Sequence, residues 1–261
     1  MVSLRSKDGL KEIIFDNVIY TLNEMDLGTA DAELSTFKGI NQVGEYLNHT
    51  TIGTRAISIV GYVFADSQEE MRIRKRDLIK LVNPLDTFDL VVDGYRLSCV
   101  ASDTVKFAVA RYENNSRLCK FMLSAEAVNP CFVPLDETTI KVALWRAVFK
   151  FPLVLKADEP FIVGVREPSK IANIQNSGDI ETGMIVEFVA KGEVSNPYLL
   201  NLNTREQIKI NKTLSKGEVI RDLDSTFIQL EVGGNEFRWG ADSNESNLEV
   251  NIIFSPKYLG V

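Results

Sequence analysis

RAISIVGYVFADSQEEMRIRKRDLIKLVNP, residues 55–84, carries the strongest local structural signal in the sequence. Its first part alternates, so Ile57, Ile59, Gly61 and Val63 are expected on one face of a strand. The period of the apolar residues then changes to that of a helix. The stretch therefore predicts a strand that leads through a short loop into a helix.

The helix is predicted over residues 67–82 from signals at both ends. Ser67 and Glu70 form an S-x-x-E capping box, in which each side chain bonds a free backbone N–H of the first turn. Pro84 ends the helix, because the residue before a proline is pushed out of the α region.

The predicted helix has one buried face. At about 100° per residue, Met71, Leu78 and Val82 fall within a narrow arc. Ile73 falls on the opposite, charged side. Two interpretations of Ile73 stay open: a lone exposed apolar side chain, or a contact with another subunit.

Composition bounds the function class. The chain has 261 residues and 45% hydrophobic content, which suits two domains of ordinary size. The net charge of −7 argues against a protein that wraps nucleic acid. No apolar run approaches the roughly 20 residues of a membrane helix, and the first residues lack the apolar core of a secretory signal. We therefore expect no membrane or specific nucleic-acid partner, and synthesis in a cytoplasm.

The three cysteines predict buried, reduced thiols. They are widely spaced and odd in number, and with one histidine in the chain they offer no zinc pattern. A disulfide between Cys99 and Cys119 stays open, because their strands could be neighbours. No metal or cofactor is expected.

The rest of the first half is predicted as strands around a long loop. Residues 11–22 suggest a strand or strand pair, and residues 23–52 a polar, irregular loop that is functional or mobile. Asp93-Gly94 between two apolar runs predicts a tight hairpin. Further strands are expected at residues 105–112 and 117–127.

From residue 147 the sequence is predicted to be nearly all β. Short apolar runs recur between turn signals, among them residues 148–155, 161–165 and 227–232. Many short strands with regular turns are typical of a β-sandwich.

These patterns together resemble the distal tail (Dit) proteins of long-tailed phages and prophages. The first half matches the family's strand, helix and closing motifs through Arg55, Ile57, Ile59, Gly61, Lys75, Leu78, Pro84 and the run Asn129-Pro130-Cys131-Phe132. The second half matches the family's galectin-like domain through Asn176, Gly178, Asp179, Thr182, Asn196, Pro197, Leu199, Leu214, Gly217, Glu218, Ile220, Val250, Ile252 and Phe254.

The resemblance implies a fold that is mainly β with one clear helix. A ring-forming β-sandwich or α+β domain is expected over residues 1–134, and a belt or linker over 135–146. A galectin-like β-sandwich is expected over residues 147–261.

The resemblance also implies a structural virion protein at the tail tip. Copies would form a ring, a hexamer in the family, that links the tail tube protein to the baseplate or tail fibre and carries receptor-binding proteins. Gly39, Gly44, Gly53 and Ile73 are candidate ring contacts. An ordinary flexible surface loop is the alternative for residues 39–53.

Catalysis is not expected. His49 is the only histidine and has no acid–nucleophile pattern near it. The close carboxylate pairs, Asp179 with Glu181 and Asp222 with Asp224, lie beside turn signals, where such residues are common for backbone reasons.

The alternative function is a carbohydrate-binding module that anchors to host cell-wall polysaccharide. Trp239, Arg238 and Asn235 could offer an aromatic face and polar groups to a sugar. The second half, however, lacks the H-x-N-x-R motif of galectins, and the WGAD segment lacks the glutamate that follows their tryptophan. A fold does not carry its function along.

Overall fold

The computed structural model describes residues 1–141, 145–147, 164–166, 171–222 and 228–261. The described residues are mainly β with one α-helix, as the sequence predicted. They form two units, residues 1–135 with 258–261 (unit 1) and residues 136–257 (unit 2).

The strands and helix of unit 1 are β1 (Val2–Ser6), β2 (Glu12–Ile14), β3 (Tyr20–Asp26), β4 (Ala32–Phe37), β5 (Tyr46–Ile52), β6 (Arg55–Phe64), α1 (Gln68–Leu81), β7 (Thr87–Val92), β8 (Tyr95–Ala101), β9 (Lys106–Phe107), β10 (Leu118–Ala127) and β11 (Val133–Pro134).

Unit 1 is a bent antiparallel sheet around one core. The strand order is β2-β1-β7-β8-β10-β6-β3, with β9 on β10 and β11 on β8. Strands β8 and β10 pair only where Ala101 faces Ala125 and Val100 faces Glu126. Because the ladder is so short at this point, the two halves of the sheet can turn toward each other and enclose the core.

Strand β6 is the centre of the second half of this sheet. It pairs with β10 along its whole length and with β3 on its other side. The predicted face is confirmed: Ile57, Ile59 and Val63 are buried. Gly61 lies on the same face, because any side chain there would meet the Thr21 carbonyl oxygen and the Phe121 ring.

Helix α1 confirms the predicted ends and buried face, with one change in its cap. The Ser67 hydroxyl accepts the Glu70 N–H at 3.2 Å, but the Glu70 carboxylate accepts the N–H of Asp66 at 2.9 Å and not that of Ser67. Met71, Leu78 and Val82 are buried, as predicted.

Two predictions for the first half were wrong, and one strand was not predicted at all. Residues 2–6 form a strand that the sequence did not suggest, and residues 23–52 contain strands and not an irregular loop. The strand predicted at 105–112 is reduced to Lys106–Phe107. The hairpin at Asp93-Gly94 is confirmed, and both residues have positive φ, of 47° and 89°.

All three cysteines are buried, and none of them is in a disulfide. Strands β8 and β10 are neighbours, but their register places Cys99 and Cys119 roughly 25 Å apart along the strands, too far for a disulfide. Burial raises the pKa of the Cys99 thiol to about 12, so it stays protonated.

The strands of unit 2 are β12 (Thr138–Lys141), β13 (Trp145–Ala147), β14 (Gly164–Arg166), β15 (Ile171–Asn176), β16 (Thr182–Ala190), β17 (Val194–Ser195), β18 (Tyr198–Asn201), β19 (Gln207–Lys209), β20 (Thr213–Leu214), β21 (Val219–Asp222), β22 (Gln229–Leu230), β23 (Gly233–Gly240) and β24 (Leu248–Phe254), with a 3-10 turn at Glu245–Asn247.

Unit 2 has two main sheets that share a core. One sheet has the order β12-β24-β16-β21, with β22 on β16, and the other has the order β15-β23-β18-β19. Val186 and Ile252 from the first meet Phe237 and Leu199 from the second in one buried cluster. The run predicted at 148–155 lies outside the described residues, as do residues 161–163 of the run predicted at 161–165 and residues 142–144 of the predicted linker.

The residues 258–261 belong to unit 1, although the sequence predicted them as part of the second domain. Tyr258 and Phe132 exchange two backbone hydrogen bonds, of 2.8 and 2.9 Å. The Tyr258 ring meets that of Tyr95 edge-on, with 5.4 Å between centroids. The chain therefore leaves unit 1 after residue 135 and returns to it at residue 258.

Gly61→Ala is expected to destabilise the protein by about 1–3 kcal/mol, because the added methyl would lie 2.5 Å from the Thr21 oxygen and 2.7 Å from a Phe121 ring carbon. Gly183→Ala is the matched control, since that strand glycine has nothing within 4 Å. Urea unfolding of both variants measures the difference. Equal stability of the two variants would contradict close packing at Gly61.

Candidate assembly interface

Strands β4 and β5 form a hairpin that stands apart from the sheets. They pair with each other and with no other strand in the described part of the chain. None of their residues is buried. We call residues 31–52 the arm. An isolated two-stranded hairpin is only marginally stable in water. The arm is such a hairpin, so packing against another surface would stabilise it.

The arm exposes large apolar side chains. The Phe37 and Tyr46 rings lie opposite each other with 5.3 Å between centroids, and both are about three-fifths exposed. At its tip, Ile40 and Val43 are 97% and 100% exposed. The other exposed apolar side chains of the arm are Leu34, Leu47 and Ile52. Consecutive residues of a strand point to opposite faces, so Leu47 lies on the face opposite Phe37 and Tyr46. The arm therefore exposes large apolar side chains on both faces, and exposed apolar surface of this kind marks interaction sites.

The three glycines predicted as ring contacts lie at the tip and base of the arm. The Gly39 N–H donates to the Gln42 side chain at 3.0 Å, and Gly44 has φ of +83° in the tip loop. The Gly53 N–H donates to the Asp31 carbonyl at 2.9 Å and closes the base. In this chain their visible role is to shape the hairpin. Whether they touch a neighbouring copy stays a prediction.

The base of the arm is held by a buried arginine, Arg55, which is 3% exposed. Its guanidinium donates to the Gly28 carbonyl at 3.3 Å and to the Leu259 carbonyl at 2.5 Å. It also lies over the Phe132 ring, 4.9 Å from the centroid. The arginine of the sequence motif therefore joins the start of the arm to the residues that close unit 1.

A second unpartnered surface lies on helix α1. Ile73 is 52% exposed and lines a depression of about 250 Å³ together with Arg72, Arg76, Asp77 and Lys80. The sequence placed Ile73 on the charged side of the helix, and the structure agrees.

A larger depression of about 520 Å³ adjoins the first and shares Asp77 and Lys80 with it. Its apolar wall is formed by Leu10, Ile13, Ile19, Tyr20 and Leu81. Burial, assisted by the Asp77 carboxylate, raises the pKa of Tyr20 to about 12. The neutral hydroxyl donates to the Arg74 carbonyl at 3.1 Å. We call the two depressions together the helix groove.

The predicted sugar contacts do not form an exposed platform. Trp239 is 3% exposed and belongs to the core of unit 2. Asn235 is fully buried, and its amide exchanges hydrogen bonds with the backbone of Glu231 at 2.8 and 2.9 Å. Only Arg238 reaches the surface. In β23 these residues alternate between core and solvent, so the aromatic face is not available to a ligand.

The described residues bring together no catalytic set. His49 lies exposed on the arm beside Asn48. Asp179 and Glu181 are both exposed near the start of β16, while the side chains of Asp222 and Asp224 lie outside the described residues. Within the described ranges there is no group of three or more potential metal-binding side chains and no helix long and apolar enough to cross a membrane.

Comparison with known proteins gives matches to phage tail proteins. Residues 11–120 match the family described as phage tail protein RIFT-related domain. Among curated proteins, no sequence matches the chain.

Several solved structures match over nearly the whole chain, and two of them are phage hub and baseplate proteins with TM-scores above 0.5. The first is the Dit (gp 19.1) protein of phage SPP1, described as a paradigm of hub adsorption apparatus in Gram-positive infecting phages. It aligns with a TM-score of 0.67 at 12% identity, over 98% of this chain and 99% of that one. The second, from the phage P2 baseplate in its activated conformation with Ca, aligns with a TM-score of 0.53 at 10% identity, over all of both chains. These findings confirm the resemblance that the sequence indicated.

Arg55→Met is expected to loosen both segments that its guanidinium holds. Loss of a hydrogen bond from a charged group costs about 1.5–3 kcal/mol, so local opening should become roughly 10- to 100-fold more frequent. Amide hydrogen exchange at residues 28–31 and 258–261 measures this. Arg72→Met is the control, because that side chain is exposed on the same unit. Equal exchange in the two variants would contradict the anchoring role.

Proposed function

Because this chain has the fold of the distal tail proteins and carries a phage tail protein domain, we propose that it is a structural hub of the tail tip. In this role, copies of unit 1 assemble side by side into a closed ring, with six copies expected from the family. The ring joins the tail tube protein to the baseplate or tail fibre, and unit 2 serves as a platform for receptor-binding proteins. The protein is made in the bacterial host and ends in the virion.

The observation that carries this proposal is the arm. Its residues are all at least partly exposed, and a lone chain leaves the apolar side chains on both faces of the hairpin in water. Burial of this surface is worth about 25 cal/mol for each Å² removed from water, which favours association. In a closed ring every copy has a neighbour, so every arm can contact a second copy of the chain.

The arrangement also favours a head-to-tail contact. The arm leaves unit 1 beside Arg55, at the first residue of β6. The free face of α1 follows the last residue of β6, Phe64. Two different surfaces on one subunit produce a heterologous interface, which closes into a ring when the rotation between copies permits.

A structural role fits the polar residues of unit 1 as well. Its buried arginine is used to hold segments of the chain together, and ion pairs such as Arg72–Glu69 and Lys106–Asp103 lie at the surface, where such pairs contribute little to stability. We therefore propose no reaction and no cofactor for this chain.

The test is the mass of the full-length chain in solution. We expect the unchanged chain to form a closed oligomer of fixed size, and Phe37→Ser with Tyr46→Ser to weaken association by more than about tenfold, because two apolar side chains leave the interface. Analytical ultracentrifugation over a range of concentrations measures both.

Leu85→Ser is the matched control, since Leu85 is an exposed apolar residue of unit 1 outside the arm. It should assemble like the unchanged chain. A full-length chain that stays monomeric at every concentration, or an arm variant that assembles normally, would contradict the proposal.

A further inference from the structure

The arm and the helix groove complement each other in shape and charge. The arm is a protruding pair of strands with apolar side chains, and the groove has an apolar wall formed by residues such as Leu10, Ile19 and Leu81. Neither surface is covered by another part of the chain that the structure describes. Each surface therefore exposes apolar side chains that contact with the other would bury.

Their charges are opposite. The arm carries the carboxylates Asp31, Glu33 and Glu45 against one basic residue, Lys38, for a net charge of −2. Helix α1, which borders the groove, carries five basic and three acidic side chains over residues 68–81, for a net charge of +2.

The basic residues available for a partner are Arg76 and Lys80, which are exposed at the groove. Neither makes an ion pair with another residue that the structure describes, and the same holds for Glu33 and Glu45 on the arm. Unpaired charges of opposite sign at two apolar surfaces give both attraction and a fixed orientation.

The two surfaces lie at opposite ends of one strand. The arm is rooted at Arg55, where the guanidinium binds the Gly28 carbonyl. The groove lies at the other end, where the Phe64 N–H donates to the Ile19 carbonyl at 2.9 Å and Tyr20 pairs with Val63. Nine residue steps of β6 separate the ends by about 30 Å. An arm rooted at one end is therefore suited to the groove of the next copy.

On these grounds we propose that the arm of each copy docks into the helix groove of its neighbour. The occupant of the groove is a second copy of this chain. This inference rests on the proposed ring but goes further, because it names the surface that receives the arm and gives Ile73, Arg76 and Lys80 a role in assembly.

The experiment is site-specific photo-cross-linking in the full-length chain. A photoreactive amino acid replaces Ile40 at the tip or Leu34 on β4, and equal amounts of isotopically light and heavy chain are mixed. We expect cross-links that join light and heavy peptides, with the acceptor in residues 10–20 or 68–81. The same photoreactive residue in place of Val232, an exposed position of unit 2, should not label these residues.

The outcomes separate this inference from the ring itself. Light–heavy cross-links from the arm to other surfaces would overturn arm-in-groove docking and leave the ring in place. A closed oligomer whose arm gives no light–heavy cross-links would do the same. A chain that stays monomeric and gives no such cross-links would overturn both proposals.

Charge reversal gives a second, independent test. Arg76→Glu with Lys80→Glu should weaken assembly by at least about tenfold, because close charge pairs across an interface become repulsive. Lys216→Glu with Arg238→Glu makes the same change in net charge on unit 2 and should assemble normally. Thermal unfolding verifies that each variant folds. Normal assembly of the groove variant would overturn the inference.

Mixing of two defective chains tests the direction of the contact. The groove variant keeps an intact arm, and the Phe37→Ser, Tyr46→Ser variant keeps an intact groove. Together they can form one intact contact, so the mixture should give a dimer of one copy each and nothing larger. A mixture that remains monomeric, or that grows into the full oligomer, would overturn docking of arm into groove.

Discussion

A buried arginine connects the parts of unit 1 that are most distant in sequence. The Arg55 guanidinium donates hydrogen bonds to the Gly28 carbonyl, three residues before the arm, and to the Leu259 carbonyl near the end of the sequence, and it lies over the Phe132 ring. Removing a cation from water is costly, so a charge in this position must be compensated by hydrogen bonds and by the ring. Only a structure in which all three segments are in place provides that compensation.

Because of this constraint, the arm is attached to a firm base. Its outer part, in contrast, pairs with no other strand that the structure describes. Strand β6 continues from the arginine through the core, where Gly61 lets Phe121 and the Thr21 backbone approach closely, and ends next to α1. One strand thus fixes the distance between the root of the arm and the helix groove. Such a rigid spacing is what repeated contacts in a closed assembly require, since an error in each subunit would accumulate around a ring.

The sequence was most informative where local patterns and burial agree. The alternation in residues 55–63 and the stripe of Met71, Leu78 and Val82 follow directly from burial of one face. The Asp93-Gly94 turn was predictable because its backbone needs positive φ at both positions.

Other elements were missed because their determinants are not local. The arm has no buried face, so it lacks the alternation by which strands are recognised. The available signals were the Thr50-Thr51-Ile52 run and the Phe37–Tyr46 cross-strand pair. For Trp239, the residue type suggested a ligand contact, but strand register decided that its face turns to the core. The return of Tyr258 to unit 1 depends on Phe132, more than a hundred residues away.

The way in which an arm like this one can bind is limited by its backbone. A hairpin can add its edge to another sheet, or it can bury side chains against a surface. Edge addition needs a regular ladder, and the arm has a register shift between Ser35 and Thr36. Two edge strands reach the helix groove, and both offer few hydrogen bonds there. β2 has only three residues, and β3 touches the groove only at its first residue, Tyr20, and has a register shift after Leu22. Side-chain burial, directed by charge, is therefore the stronger contribution, and it depends on the exposed apolar residues of the arm and not on its backbone.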